Sequence, residues 1–109
     1  KIVRKEIPAD IVYEDEEILA FKDIHPLAPV HVLIIPKREI ESINDLEEGD
    51  AMLLGRMILV AKQIAKDLSI SEKGYKLLFR TGHDGGQEVK HIHLHLIGGA
   101  RLTEGIQPM

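Results

Sequence analysis

Hydrophobic and polar positions change their period several times along the 109 residues, and each change marks an element. Residues 1–8 (KIVRKEIP) are amphipathic and predict a short helix of one or two turns before Pro8. Ile11–Tyr13 and Ile18–Asp23 are β-rich runs around the polar Glu14–Glu17, the pattern of a hairpin. Pro26 and Pro29 impose an irregular segment, because proline restricts both itself and the residue before it. Val30–Pro36 (VHVLIIP) is nearly continuous in apolar residues and predicts a central strand, followed by a polar connection over Lys37–Ile43. Asn44–Leu68 carries helical spacing, with Leu54, Met57, Ile58, Ala61, Ala65 and Leu68 as its stripe. Asn44 is the expected cap, with Glu47 three residues on as in a capping box. Tyr75–Arg80 predicts a fourth strand, Thr81–Gln87 (TGHDGGQ) a glycine loop, and Val89–Ile97 a fifth strand broken by Gly98–Gly99.

Hairpin-like strands around one long helix predict an α+β fold: an antiparallel sheet of about five strands with helices on one face. A chain of this length predicts a single domain over residues 1–109. Met52, Leu53, Leu59, Val60 and Ile64 widen the helix's apolar surface beyond one stripe. A helix apolar on more than one face must bury more than one, either in its own core or against a second copy of the chain, and the homodimer is the expectation.

Composition narrows the chemistry. There is no Cys, which excludes a disulfide framework, a thiol nucleophile, an iron–sulfur cluster and any Cys-based zinc site. The net charge of −4 argues against nucleic acid as a partner, since non-specific binding needs a basic patch that releases counterions. No run approaches the roughly 18 apolar residues that span a bilayer, so no membrane is expected, and no charged-then-apolar leader opens the sequence. The expected location is the cytoplasm.

Six His in so short a chain stand out, three of them within His91-Ile92-His93-Leu94-His95. On a strand His91, His93 and His95 share one face, and Ile92, Leu94 and Leu96 take the other. Three imidazoles on one face pack poorly and repel when charged. Two functions fit: imidazoles at i and i+2 can ligate zinc with help from elsewhere, or one His attacks phosphorus while its neighbours move protons. The preceding Gly82, Gly85 and Gly86 favour phosphorus, because such a loop can turn backbone N–H groups toward an anion. His31 lies in the central strand; His25 and His83 read as exposed loop residues. Asp23, Phe21 and Ile24 stand together, a carboxylate beside two apolar walls.

These residues resemble the histidine triad family, and within it the Hint branch of purine nucleoside phosphoramidases. The likeness is carried by HIHLHLI (91–97), GHDGGQEVKH (82–91), AFKDIHPLAPVHVLIIPK (20–37) and IVRKEIPADIVYED (2–15), nearly the whole chain. The resemblance implies that His93 attacks the phosphorus of an adenosine or guanosine 5′-phosphoramidate, that a nucleotidyl-histidine forms, and that water then frees AMP or GMP. His95 would contact the phosphate and take part in proton transfer to the leaving group, His91 would orient the site, and His31 would complete the cluster. Gly86, Gln87 and Glu88 would hold the phosphate, Asp23 the ribose hydroxyls, and Ile24, Phe21, Ile2 and Ile7 the purine. The resemblance implies a homodimer, no cofactor and no metal. It leaves two other functions within reach: a dinucleoside polyphosphate hydrolase or nucleotidyl transferase with the same nucleophile, and a non-catalytic nucleotide- or zinc-binding regulator. Three positions depart from the branch. Arg80 replaces the usual Asn, Glu88 replaces the usual Ser, and the tail from Arg101 to Met109 lacks the common Trp. A carboxylate beside a phosphate is repulsive, so Glu88 is expected to pair with Arg80 or Lys90.

Overall fold

The computed structural model describes residues 10–105. The expected N-terminal helix, and with it Ile2 and Ile7, lies outside the described residues. Five strands form one antiparallel sheet: β1 (Ile11–Glu14), β2 (Ile18–Lys22), β3 (Val30–Pro36), β4 (Tyr75–Phe79) and β5 (Leu94–Gly98), in the order β1-β2-β3-β5-β4. Asp15 closes the first hairpin, its Oδ1 accepting from the N–H groups of Glu17 and Ile18 at 2.8 Å each. The α+β architecture agrees with the sequence pattern.

The single α-helix among the described residues, α1 (Ala51–Asp67), starts seven residues later than expected. The preceding stretch forms two one-turn 3₁₀ helices, Ile43–Asp45 and Glu48–Asp50. Ser42, not Asn44, caps the first: its Oγ accepts from Asn44 N–H at 3.2 Å, and its own N–H donates to Asp45 Oδ2 at 3.1 Å. Asp50 holds the second turn by accepting from Glu47 N–H at 2.9 Å and from Arg38. Short polar side chains that bond nearby backbone compete with a continuing α-helix, which is why the apolar periodicity overran the real start.

β5 also starts late, at Leu94 instead of Val89, and it keeps Gly98 as its last residue. The cause lies in its neighbour. β3 pairs Ile34 with Leu94, so the next same-face step sets Pro36 opposite Ile92, and proline has no N–H for a ladder. The chain leaves β3 there: Ile92 N–H donates to Ile40 C=O at 2.7 Å, and the Pro36 carbonyl accepts from His91 instead.

Alternation along the strands separates two cores. Ile18, Ala20, Val32, Ile34, Leu94 and Leu96 pack against Met57, Val60, Ala61, Ile64 and Ala65 of α1. The opposite face of the same strands carries a smaller cluster, Leu19, Phe21 and Ile35 with Leu33. Ile58, placed in the helical stripe by its spacing, is half exposed, whereas Val60 and Ile64 turn inward. Burying the helix along one line leaves Met52 81% and Leu59 62% exposed.

Candidate active site

The face of the sheet away from α1 holds the histidines. His31 pairs with Ile97 and His95 with Leu33, so the two imidazoles are diagonal neighbours on one face of β3 and β5. Their ring centroids are 5.2 Å apart, and those of His93 and His95 are 4.9 Å apart. A cleft of about 540 Å³ opens over them, lined by His31, His93, His95, Asp23, Arg80 and Glu88 among others.

Hydrogen bonding assigns the protons. Leu27 N–H donates to His31 Nδ1 at 3.1 Å, so that nitrogen carries the lone pair and Nε2 carries the hydrogen. His31 Nε2–H then donates to His95 Nδ1 at 2.9 Å, which places the hydrogen of neutral His95 on Nε2. That Nε2 is buried and has no partner among the described residues. Burial, and after it the neighbouring His93, His31 and Arg80 charges, pushes the His95 pKa down to about 4. Burial likewise lowers His31, against the opposing pull of Asp23. Both imidazoles are therefore neutral near pH 7. His93 is set the other way round. Its Nδ1 donates to the His91 carbonyl at 2.7 Å, leaving the lone pair on Nε2. The site thus offers a nucleophilic nitrogen on His93 beside a hydrogen-bond donor on His95.

His91 does not join the other two. It precedes β5, lies outside the cleft lining, and donates from Nε2 to the Pro36 carbonyl at 2.8 Å. The backbone carbonyl of His91 holds His93, and its side chain ties that carbonyl's segment to β3. Of the three imidazoles expected on one face, His93 and His95 line the cleft and His91 does not, its ring being held by the Pro36 carbonyl.

Several N–H groups of the glycine loop are engaged within the loop itself. Gly86 N–H donates to the His83 carbonyl and Gln87 N–H to the Gly82 carbonyl, each at 3.0 Å, so neither is turned toward an anion. Gln87 pins the loop with its side chain: Oε1 accepts from Gly82 N–H at 2.9 Å, and Nε2 donates to the Glu41 and Val89 carbonyls at 2.7 and 3.0 Å. Gln87 does not line the cleft; Gly86 does. The loop needs glycine at residue 85, where a Cβ would meet the Thr81 carbonyl oxygen at 2.3 Å, and favours it at residue 86, whose φ is +78°. The Arg80 guanidinium lies against this loop, its Nη1 3.5 Å from where a Gly86 Cβ would be.

Phe21, Asp23 and Ile24 line the cleft as expected, with Ile24 79% exposed. Asp23 Oδ1 accepts from His25 N–H at 2.8 Å, and Oδ2 lies 3.5 Å from His31 Nε2. Glu88 lines the cleft too, but the predicted ion pair with Arg80 or Lys90 is not formed among the described residues. Leu27, Leu33 and Val89 also line it, and no spacing in the sequence singled them out. The role of the Leu27 N–H was equally hidden, since a backbone group carries no residue signature.

Asp23, His31 and His95 bring ligand atoms within 4.8 Å of one another, as a metal site would. A cation there needs the lone pair on His31 Nε2, which would move the proton to Nδ1, against the Leu27 N–H. The hydrogen-bond chain does not fit metal ligation.

No helix among the described residues is long and apolar enough to cross a membrane. Residues 4–102 match the sequence profile of the HIT domain. The chain is 53% identical over 102 residues to the purine nucleoside phosphoramidase of Escherichia coli K12, covering 94% of this chain and 86% of that protein. Its fold matches a HIT family hydrolase from Legionella pneumophila with a TM-score of 0.93 and 51% identity, over 94% of this chain and 92% of that one. A histidine triad protein from Clostridium difficile matches with a TM-score of 0.92 and 38% identity, over 95% and 90%. The chain belongs to the HIT domain family.

Proposed function

We propose that this protein is a purine nucleoside phosphoramidase that hydrolyses the P–N bond of adenosine or guanosine 5′-phosphoramidates. The observation that carries this is the opposed proton pattern of neighbouring imidazoles: lone pair on His93 Nε2, hydrogen on His95 Nε2. His93 Nε2 attacks phosphorus, and the electron pair of the P–N bond leaves with the amine. The departing nitrogen takes its proton from water in the cleft, while neutral His95 keeps its Nε2–H on the phosphoryl group beside the breaking bond. Water then attacks the nucleotidyl-histidine, giving the nucleoside monophosphate and restoring His93. Arg80 and His95 Nε2–H stabilise the charge on the non-bridging oxygens, often the largest catalytic contribution. Asp23 takes the ribose hydroxyls, while Phe21 and Ile24, with Ile2 and Ile7, take the purine. Gly86 lets the loop approach the phosphate closely, and His91 and Gln87 act as positioning residues. The identity to the Escherichia coli phosphoramidase supports the substrate class.

The whole chain acts as one domain, in the cytoplasm, as a homodimer. Exposed Met52, Ile58 and Leu59 on α1 supply the apolar surface for a second copy. Leu59→Glu should convert a dimer into a monomer by light scattering.

A substrate panel tests the reaction. Adenosine and guanosine phosphoramidates are compared with dinucleoside polyphosphates, and acid-quenched protein is weighed by mass spectrometry. Turnover of the phosphoramidates with a nucleotidyl adduct that vanishes in His93→Ala is expected. Turnover of the polyphosphates alone would overturn the proposal.

A further inference from the structure

Two charged side chains in the cleft, Arg80 and Glu88, have no hydrogen bond or ion pair among the described residues. The other two are engaged: Lys22 lies 3.5 Å from Asp10, and Asp23 accepts from His25 N–H. Arg80 and Glu88 have opposite signs and share one cleft, yet they do not pair with each other. Their supports explain why they stay apart. Arg80 follows β4 and sits against Gly86, while Glu88 follows Gln87, whose side chain makes three hydrogen bonds that fix the loop.

A lone carboxylate beside a phosphoryl site repels the ligand it faces unless that ligand carries a positive charge of its own. Arg80 answers an anion, and Glu88 answers a cation held some distance from it. A nucleoside phosphoramidate whose amine bears a second ammonium group has that layout, with the phosphoryl oxygens on one side of the scissile bond and the distal cation on the other. We propose that Glu88 is a specificity-determining residue that selects leaving amines carrying a second positive charge, such as diamines and basic amino acids. This rests on the phosphoramidase reading.

Three adenosine 5′-phosphoramidates of matched length test it, with a butane diamine, butylamine or an aminobutyrate as the leaving amine. The expected order of kcat/KM is diamine, then butylamine, then aminobutyrate, with the first two separated by roughly threefold to tenfold. Salt near 0.5 M should shrink that ratio, because the carboxylate is exposed and the attraction is screened. In Glu88→Gln the ratio should fall to about one, and in Glu88→Lys the order should invert. Equal turnover of diamine and butylamine by the wild type, or a ratio unchanged in Glu88→Gln, would overturn the role of Glu88 while leaving the phosphoramidase reading intact. No turnover of any of the three would overturn both.

Discussion

The two faces of β3 and β5 are built from alternate residues of the same strands, yet they obey different rules. Toward α1 stand Val32, Ile34, Leu94 and Leu96, nearly inaccessible and closed over by the helix. Away from it stand His31, Leu33 and His95, with a cleft above. The first face is a matter of volume, since apolar side chains of the right size fill it and each hydrophobic contact is non-directional. The second is a matter of direction. His31 and His95 are as buried as many core residues, but their value depends on which nitrogen carries a hydrogen, and that is set by one backbone N–H of Leu27. A buried donor without a partner among the described residues, His95 Nε2, costs stability where it stands. The helix-covered face supplies the compensating burial, so strain on one side of the sheet is held by packing on the other.

This contrast predicts different damage from the two faces. The largest effect is expected from His93→Ala, which should lower kcat for phosphoramidate hydrolysis by about a thousandfold or more with little change in melting temperature. Stopped turnover assays and thermal melts on the same preparation separate the two effects. If this variant lost stability as well, the two faces would not be independent. Leu96→Ala, on the helix side, should do the reverse, losing about 3 kcal/mol of stability while the folded enzyme keeps its kcat. Denaturant unfolding alongside a rate measured well below the new midpoint checks it.

Arg80→Gln should come next, with a loss of about a hundredfold in kcat/KM, since it removes a cleft cation that has no partner among the described residues, and the loop N–H groups of Gly86 and Gln87 are already engaged. Retention of near-wild-type kcat/KM would return charge stabilisation to the backbone. The smallest effect concerns pH. The His95 pKa falls to about 4 on folding, whereas an unfolded His titrates near 6.5. Between those values the unfolded chain binds the extra proton, so stability is full above about pH 6.5 and declines as pH falls toward 4. The decline attributable to this group should be missing in His95→Asn, as read by unfolding curves at a series of pH values.

Legibility in the sequence followed the same division. Period-two alternation placed Leu94 and Leu96 in the core and His95 opposite them, because alternation is a property of the strand itself, and His93 joins His95 at the cleft from the residue just before the strand. It misplaced His91, because the strand's start depends on Pro36 of a neighbour that alternation cannot see. Helical spacing found α1 and its end but began at Asn44 and ran on through Asp50, where side chains bond the local backbone and hold 3₁₀ turns. The glycines correctly marked a tight loop. Which way its N–H groups point was fixed by Gln87, whose partners include the distant Glu41 carbonyl.

The sequence by itself determined the strand and helix pattern, the pairing of imidazoles at His93 and His95, and the family, because these depend on residue type and near-neighbour spacing. Only the tertiary structure decided the proton assignments through Leu27, His31 and His95, the removal of His91 to a supporting place, and the separation of Arg80 from Glu88. Those depend on directional contacts between segments far apart in the chain, and hydrogen bonds and charges act on positions in space that spacing along a sequence does not specify.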